Sequence, residues 1–391
     1  MTNTRADNGE LARARAALAA AGCDLALLSS VTNVTYVSGF EVPLAVGVSA
    51  AVAYAAPFAV IAAKDSTAWL AASVFHTAQA QRESRLDHLL TFAGFDSFQA
   101  TDARGTYLES VRAALQQAGL GQTGRLGVEG RALPYGAGAL IAQQFPRVQL
   151  IEIDDVLESA RQIKTAREIE RLRRAAQIGD VGQRTLAELA QTAGCSEFEM
   201  YAEVIARMQQ AVGHEIPVSG ELVTGPRTTT VNYPGGPRDR TTAPGDAALM
   251  DISQRGDGYW SDCTNTCVIG GVTPTETQKK YTRASQAAFE AAAAKLRPGQ
   301  CAADVWAAAN AAYEKHGLAM PHYMGHQIGA TVNELPRLVP YDQTPIQANM
   351  VFAVEPGAYQ GPGGSFGARS EKMIWVTESG PEILSQFEWG I

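Results

Sequence analysis

The first 150 residues alternate between helix-like and strand-like patterns of apolar positions. Alanine-rich segments with apolar residues at helical spacing predict helices over Glu10–Ala21 and Tyr107–Ala118. Short apolar runs predict strands over Asp24–Leu28, Leu126–Val128 and Val148–Ile153. Helices that alternate with strands in this way indicate an α/β domain.

One segment of this half, Val42–Ala63, has no charged residue and is long enough, at about 20 residues, to span a bilayer. Pro43, Gly47 and Pro57 interrupt it, and alanine outnumbers leucine. We therefore predict two buried strands joined by a turn, and a soluble protein without a membrane helix.

From Thr165 onwards, longer helices alternate with antiparallel hairpins. The strands Ala247–Ser253 and Tyr259–Ile269, joined by the polar turn Gln254–Gly258, predict one such hairpin. Helices set apart from hairpins indicate an α+β domain, so we expect domains over 1–158 and 159–391. Three helix starts combine a Ser or Thr cap with a Glu three residues later: Thr165 with Glu168, Ser196 with Glu199, and Thr273 with Glu276, where Pro274 takes the first helical position.

Composition and charge exclude several classes of protein. The apolar fraction of 46% and the charged fraction of 18% describe a globular chain. A net charge of −8 has the wrong sign for a protein whose main task is binding nucleic acid. Five cysteines, an odd number, are no disulfide framework, and Cys263 with Cys267 lacks the second pair of a zinc site. With a polar start that has no signal core, these features predict a cytoplasmic protein.

Two aspartates lie in the predicted hairpin, Asp251 on one arm and Asp262 on the other. A charged carboxylate within an apolar strand costs free energy unless it is paired or bound to a cation. Taken alone, the two aspartates are equally well explained as turn residues.

Three further residues with metal-ligand chemistry lie in apolar, strand-like sequence near the C-terminus. His326 stands among glycines, Glu355 ends an apolar strand, and Glu371 directly precedes another. Four carboxylates and one imidazole suit a divalent ion such as Mn, Fe, Co or Zn, usually as a pair. Each also has an ordinary structural explanation: Glu355 as a salt-bridged strand end, Glu371 as a partner of Arg369, and His326 as a loop histidine.

In combination, these motifs resemble those of the pita-bread metallohydrolases, which include methionine aminopeptidase, aminopeptidase P, prolidase and the metal-free creatinase. The two aspartates stand 11 positions apart, and Gly325-His326, Glu355-Pro356-Gly357 and Arg369 with Glu371 follow in the family's order. The resemblance covers nearly the whole chain and implies a pita-bread catalytic domain, preceded by an α/β creatinase-type domain. The N-terminal and connecting motifs that resemble the family are Cys23–Leu28 with Asn33, Tyr36 and Ser38-Gly39-Phe40, and Arg161–Lys164 with Glu168 and Ala175.

By position, the resemblance implies a centre of two divalent ions, with manganese preferred over iron, cobalt or zinc. Asp251 would chelate one ion, His326 and Glu355 the other, and Asp262 and Glu371 would bridge them. A metal-bridged hydroxide would attack a carbonyl, and Glu371 or Glu355 would handle the proton. The resemblance also implies a homodimer in which the N-terminal domain of one chain covers the site of its partner.

Two histidines with which the family's peptidases steady the substrate are replaced here. The stretch 231–237 has no histidine where a Pro-His element is usual, and Asn333 stands where the second is expected. An amide donates a hydrogen bond but supplies no proton of intermediate pKa. His322 and His214 are the candidates to take over this role.

The loop from Gly225 to Tyr233 is where we expect substrate choice to be set, with Tyr233 among the substrate-binding residues. Arg227 in this loop either clamps an anionic group of the substrate or is an ordinary exposed arginine. Asn265 replaces an arginine that is common in the family's Asp-x-Thr-Arg-Thr run, which predicts altered packing near an intact metal site.

Three functions fit these observations. The first is hydrolysis of peptide bonds, as in an Xaa-Pro dipeptidase or aminopeptidase. The second is hydrolysis or lysis of a C–N bond in a small non-peptide molecule, such as an amide, an amidine or an amino-aromatic compound, because fold does not dictate function and the two histidines are gone. The third is an inactive binding module. The substrate is accordingly a dipeptide or another small molecule.

Overall fold

The computed structural model describes residues 9–42, 54, 56–231 and 235–391. The chain divides into two compact units, Met1–Arg161 and Gln162–Ile391. The described helices of the first unit are α1 (Gly9–Ala20), α2 (Val31–Ser38), α3 (Thr77–Glu83), α4 (Ala103–Gln117), α5 (Tyr135–Gln144) and α6 (Asp154–Arg161). Its described strands are β1 (Leu25–Leu28), β2 (Phe58–Ala62), β3 (Ala68–Ser73), β4 (His88–Phe92), β5 (Thr123–Val128) and β6 (Arg147–Glu152).

The strands of the first unit form one mixed sheet in the order β4-β3-β2-β1-β5-β6. The pairs β1–β2 and β2–β3 are antiparallel, and the others are parallel. Every residue of β1 and β2 is buried, which explains why both read as unbroken apolar runs. The sequence therefore predicted an α/β unit correctly. Residue 158, the predicted end of this unit, falls inside α6.

The uncharged segment Val42–Ala63 lies partly outside the described residues, which omit 43–53 and 55. Its second half forms β2, buried between β1 and β3. No described helix is both long enough and apolar enough to cross a bilayer.

The second unit contains long helices and antiparallel strands. Its described helices are α7 (Ala166–Leu189), α8 (Glu197–Val212), α9 (Glu276–Lys295) and α10 (Ala302–Lys315), and Gly225–Thr229 forms a 3₁₀ turn. Its described strands are β7 (Val218–Thr224), β8 (Ala247–Gly256), β9 (Tyr259–Val268), β10 (Gly325–Gln327), β11 (Glu334–Arg337), β12 (Val351–Val354), β13 (Gly357–Tyr359), β14 (Gly367–Arg369), β15 (Lys372–Thr377) and β16 (Gly380–Ile383).

These strands form three antiparallel sheets, in the orders β7-β8-β9, β11-β10-β12-β15-β16 and β13-β14. One apolar core packs residues of α9 and α10 against β12 and β15, and another packs α7 and α8 against β7, β8 and β9. Helices packed against separate antiparallel sheets make this unit α+β, as predicted.

Two of the three predicted helix caps are confirmed, and the third is wrong. Thr165 with Glu168 and Ser196 with Glu199 form capping boxes. The cap of α9 is Thr275, because its hydroxyl accepts the Gln278 N–H at 3.3 Å while the Gln278 side chain accepts the Thr275 N–H at 2.8 Å. This Thr-x-x-Gln box satisfies two N–H groups reciprocally, so α9 begins two residues later than predicted.

The hairpin of β8 and β9 is also longer than predicted. Gln254 continues β8 and is buried. Its side-chain amide donates to the Ala175 carbonyl at 2.8 Å. The turn is reduced to Asp257 and Gly258, which have φ values of 53° and 82°. Positive φ at both positions is the signature of the tight turn that matches strand twist.

Candidate active site

The hairpin places both aspartates on one face of its sheet. Asp251 pairs with Thr264 across the strands, and Ser253 pairs with Asp262. Residues two apart on a strand share a face, and so do residues directly opposite each other. Asp251 and Asp262 are therefore diagonal neighbours. The Ser253 hydroxyl donates to Asp262 Oδ1 at 2.8 Å and orients that carboxylate.

A single bridge between β9 and the segment after β14 brings Glu371 to the same face. In this antiparallel bridge Glu371 stands opposite Thr264. The Glu371 N–H donates to the Thr264 carbonyl at 3.0 Å, and the Thr264 hydroxyl donates to Glu371 Oε2 at 2.6 Å. Glu371 is thus held beside the two aspartates by both backbone and side chain.

His326 and Glu355 complete the group from two neighbouring strands, β10 and the end of β12. His326 Nε2 lies 3.4 Å from Glu355 Oε1 and 3.6 Å from Asp262 Oδ2. The other ring nitrogen, Nδ1, lies 2.9 Å from the Gln327 carbonyl oxygen. Because a carbonyl only accepts, Nδ1 is the donor there and Nε2 faces the carboxylates.

The arrangement fits a divalent cation. Asp262, His326 and Glu371 each offer one ligand atom, and these three atoms lie within 4.8 Å of one another. Asp251 Oδ1 and Glu371 Oε1 are buried, and neither has a hydrogen-bond partner among the described residues. Buried polar atoms are rarely left unsatisfied, and carboxylate oxygens with one imidazole nitrogen are donors that Mn, Fe, Co and Zn accept.

The crowding of carboxylates shows in their pKa values. Burial raises the pKa of Glu371 well above its usual range, and Asp262 and Asp251 raise it further. Burial likewise raises the pKa of Asp251 and of Glu355. Burial would also raise the pKa of Asp262, but a hydrogen bond from His326 lowers it. Burial would lower the pKa of His326, yet Asp262 and Glu355 raise it to about 9. The site concentrates negative charge that protons or a cation must balance.

Arg369 lies buried on the Asp251 side of this group. Its Nη2 donates to Asp251 Oδ2 and to Glu221 Oε2, each at 2.7 Å, and its Nε donates to the Thr264 hydroxyl at 3.2 Å. These are the hydrogen bonds of the Arg369 side chain among the described residues, whereas Glu371 is held by Thr264. The guanidinium therefore orients Asp251.

Glu221 is not among the predicted site residues, although the sequence carries a signal for it. Glu221 lies on β7, directly opposite Asp251, and is 7% exposed. It is a carboxylate inside a strand, which is the criterion that singled out Asp251. Tyr359, whose hydroxyl contacts His322, was also missed, and no local pattern marks it.

His322 lies close to the site. Its Nδ1 lies 2.7 Å from the Tyr323 carbonyl oxygen, and its Nε2 lies 3.4 Å from the Tyr359 hydroxyl. Burial and the neighbouring charge of Arg369 lower the pKa of His322 to about 4. Its imidazole is therefore neutral at neutral pH. Burial raises the pKa of Tyr359 to about 12, so this phenol stays protonated and can donate a hydrogen bond.

The other predicted substrate-binding residues lie in different surroundings. Asn333 is exposed in the turn between β10 and β11, where its carbonyl accepts the Thr331 hydroxyl at 3.0 Å. His214 is exposed just after α8, with Nδ1 2.9 Å from the Glu215 carbonyl oxygen. Tyr233 lies outside the described residues. His322 thus contacts Tyr359, whereas His214 and Asn333 lie at the surface.

Arg227 and Asn265 both have structural partners. Arg227 forms an ion pair with the buried Glu197 and donates to the Gly236 carbonyl at 2.8 Å. Asn265 is buried, donates to the Glu388 carbonyl at 3.1 Å and accepts the Gly390 N–H at 3.0 Å. Asn265 therefore attaches the C-terminal segment to β9.

Comparisons with known proteins agree with this geometry. The sequence model of metallopeptidase family M24 matches residues 170–378, and that of the creatinase/prolidase N-terminal domain matches residues 10–163. An Xaa-Pro dipeptidase of Pyrococcus furiosus is 30% identical over 271 residues, which are 69% of this chain and 76% of that protein.

Solved structures show the same fold. The prolidase from Pyrococcus horikoshii OT3 has a TM-score of 0.77 and 24% identity, covering 98% of this chain and 99% of the other. The Xaa-Pro dipeptidase from Bacillus anthracis has a TM-score of 0.79 and 24% identity, covering 97% of this chain and 98% of the other. The predicted fold, a creatinase-type domain followed by a pita-bread domain, is confirmed.

Proposed function

Because this chain belongs to metallopeptidase family M24, and is therefore a metal-dependent peptidase, we propose that it hydrolyses Xaa-Pro dipeptides at a centre of two divalent ions. The observation that supports this proposal most strongly is the convergence of Asp262, His326 and Glu371 within 4.8 Å. Three buried carboxylate oxygens of the site, Asp251 Oδ1, Glu355 Oε1 and Glu371 Oε1, accept no hydrogen bond from the described residues.

Five residues would hold the ions. Asp251 would chelate one, His326 and Glu355 the other, and Asp262 and Glu371 would bridge them. When bound, such a pair supplies a nucleophilic water at neutral pH and polarises the carbonyl under attack. Manganese is the ion we propose, because a mainly carboxylate donor set suits it.

The chain's own residues would prepare and complete the reaction. Arg369 holds Asp251 by a 2.7 Å hydrogen bond, and Thr264 holds Glu371. Glu371 or Glu355 would take a proton from the attacking water and pass it to the leaving nitrogen, a role that suits a carboxylate beside two cations. Tyr359 is the hydrogen-bond donor that we propose in place of the two absent histidines. The neutral His322 directs its one N–H at the Tyr323 carbonyl, so its Nε2 accepts.

The test is turnover of a panel of Xaa-Pro dipeptides by protein that has been stripped with a chelator and reloaded with Mn(II). Asp262→Asn should lower kcat/KM by more than the roughly 10–100-fold that partners outside the ligand set cost. The matched control is Asp257→Asn in the turn of the same hairpin, where the side chain is 56% exposed. We expect that control to retain wild-type activity.

Two alternatives are outcomes of the same test. Tight binding of two ions without cleavage of any dipeptide would favour the small-molecule amide, amidine or amino-aromatic substrate, for which the loss of both histidines is the supporting observation. Failure to bind divalent ions at all would favour the inactive binding module. The homodimer and the cytoplasmic location stay predictions from the sequence.

A further inference from the structure

A small cleft with an internal volume of about 10 Å³ is lined in part by Arg369, which contacts Asp251. One part of its wall is apolar, formed by two valines and a leucine, and another is polar, formed by threonines and Tyr359. Three charged residues also line it: Glu221, Arg227 and Arg369. The chemistry of these three groups decides what the cleft accepts.

Both arginines of the cleft are already neutralised. Arg227 is paired with Glu197, which is fully buried behind it. Arg369 faces two carboxylates, with Glu221 and Asp251 each 2.7 Å from its Nη2. An anionic ligand would have to displace one of these carboxylates, so the cleft is poorly suited to a carboxylate or phosphate.

Glu221 differs from the two arginines because hydrogen bonds occupy only part of the acceptor capacity of its carboxylate. A carboxylate offers about four acceptor sites, and the Arg369 contact occupies one of them at Oε2. The same guanidinium nitrogen is shared with Asp251, which the proposed function assigns to the metal centre. Glu221 therefore presents acceptor capacity to the cleft within reach of that centre.

The position of Glu221 on β7 also points to the cleft. Residues two apart on a strand share a face, so Glu221 and Val223 are on the same side, and both line the cleft. Leu222 between them is buried in the apolar core on the opposite side. A residue needed only to fill this wall could be aliphatic, as Val223 is.

Building on the proposed function, we infer that Glu221 is a specificity-determining residue that selects substrates with a cationic group, an ammonium, placed in this cleft. The cation could come from the α-ammonium of the peptide or from its first side chain. The two sources have the same chemistry and are separated by the choice of substrate pairs.

The experiment compares substrates that differ only in this charge, using the full-length Mn(II)-loaded protein. Lysyl-proline against norleucyl-proline tests a side-chain cation, and alanyl-proline against propionyl-proline tests the α-ammonium. Wild-type protein should prefer the charged member of at least one pair. Glu221→Gln, which keeps the shape and removes the charge, should reduce that preference by about tenfold or more, the usual scale for a hydrogen bond to a charged group. The exposed Glu215→Gln is the matched control and should leave both ratios unchanged.

An equal loss for charged and uncharged substrates in Glu221→Gln would overturn the inference and assign Glu221 to the support of Arg369 alone. The same pairs are also measured as ligands by calorimetry on the wild-type and Glu221→Gln proteins. If no dipeptide is cleaved, the proposed function fails, while the ratio of dissociation constants within each pair still decides the role of Glu221. Glu221→Asp, which keeps the charge, should retain a preference for the cation in either assay.

Discussion

The Thr264 hydroxyl contacts both sides of the candidate metal centre. It donates to Glu371 Oε2 at 2.6 Å and accepts from Arg369 Nε at 3.2 Å. Thr264→Val keeps the shape of the side chain and removes both bonds, leaving Glu371 free to turn away. We expect the affinity for Mn(II) to fall about 10–100-fold, the usual cost of losing a partner that orients a ligand.

Calorimetric titration of metal-free protein with Mn(II) measures this effect. Thr264→Ser retains a hydroxyl at the same position and should bind Mn(II) nearly as tightly as the wild type. Equal affinities for the Val and Ser variants would contradict the role given to the hydroxyl.

His322 should make folding stability depend on pH. Its pKa is lowered by burial from 6.5 to about 4, so between these values the unfolded chain binds more protons than the folded one. Stability is then fully present above about pH 6.5 and is lost as the pH falls towards 4. His322→Gln should flatten this part of the profile relative to the wild type.

Urea unfolding of both proteins between pH 4 and 8 gives the comparison, and the difference between their profiles removes the contributions of the other titrating groups. Parallel profiles would mean that His322 is protonated as easily in the folded protein as in the unfolded chain.

The residues of the site divide into those that local sequence reveals and those that it does not. Asp251 and Asp262 were found because a carboxylate in an apolar strand needs a partner, and the hairpin register then makes them neighbours. The pairing of Arg369 with Glu221 was not predictable, because the two lie 148 positions apart and meet only through the pairing of β7 with β8.

At the scale of elements, a buried ion pair fixes the start of α7 to the hairpin that bears His326. Lys164 is buried, and its Nζ donates to Gln327 Oε1 at 2.7 Å and to Glu334 Oε2 at 3.0 Å. Lys164→Met fills the same space without a charge and removes the ammonium partner of a buried carboxylate. We expect the free energy of unfolding to fall by about 3–5 kcal/mol.

The control for this substitution is Lys279→Met, which breaks the surface pair with Glu276 at 2.8 Å on α9. Surface pairs contribute less than about 1 kcal/mol, so this variant should unfold almost as the wild type does. Urea unfolding at pH 7 measures both variants. Equal losses in the free energy of unfolding would show that the buried Lys164 pair stabilises the fold no more than a surface pair does.

Helix starts show how far local sequence determines an element. The boxes at Thr165 and Ser196 are built from residues three apart and formed as predicted. At the start of α9, Thr273 with Glu276 and Thr275 with Gln278 both have the spacing of a capping box, and the box of Thr275 with Gln278 forms. Thr275 itself has an extended backbone, with φ −66° and ψ 162°, so the helix begins after it.

At the scale of the whole molecule, the order of secondary structure was predictable and the order of strands was not. Alternating patterns identified the α/β unit, but β1 pairs with both β2 and β5, which are distant in sequence. Such pairing is decided by burial of both faces of the sheet and not by local propensity. The family resemblance implied the fold and gave no strand order, and the solved prolidase structures share this fold.

The proposed function requires that Asp251, Asp262, His326, Glu355 and Glu371 together hold two divalent ions. Diffraction at the manganese absorption edge from crystals soaked in MnCl₂ is the decisive measurement, because anomalous scattering locates the ions without reference to activity. We expect two peaks among these five side chains, and the loss of at least one of them in Asp262→Asn. No peak at this position, or peaks only elsewhere on the protein, would contradict it.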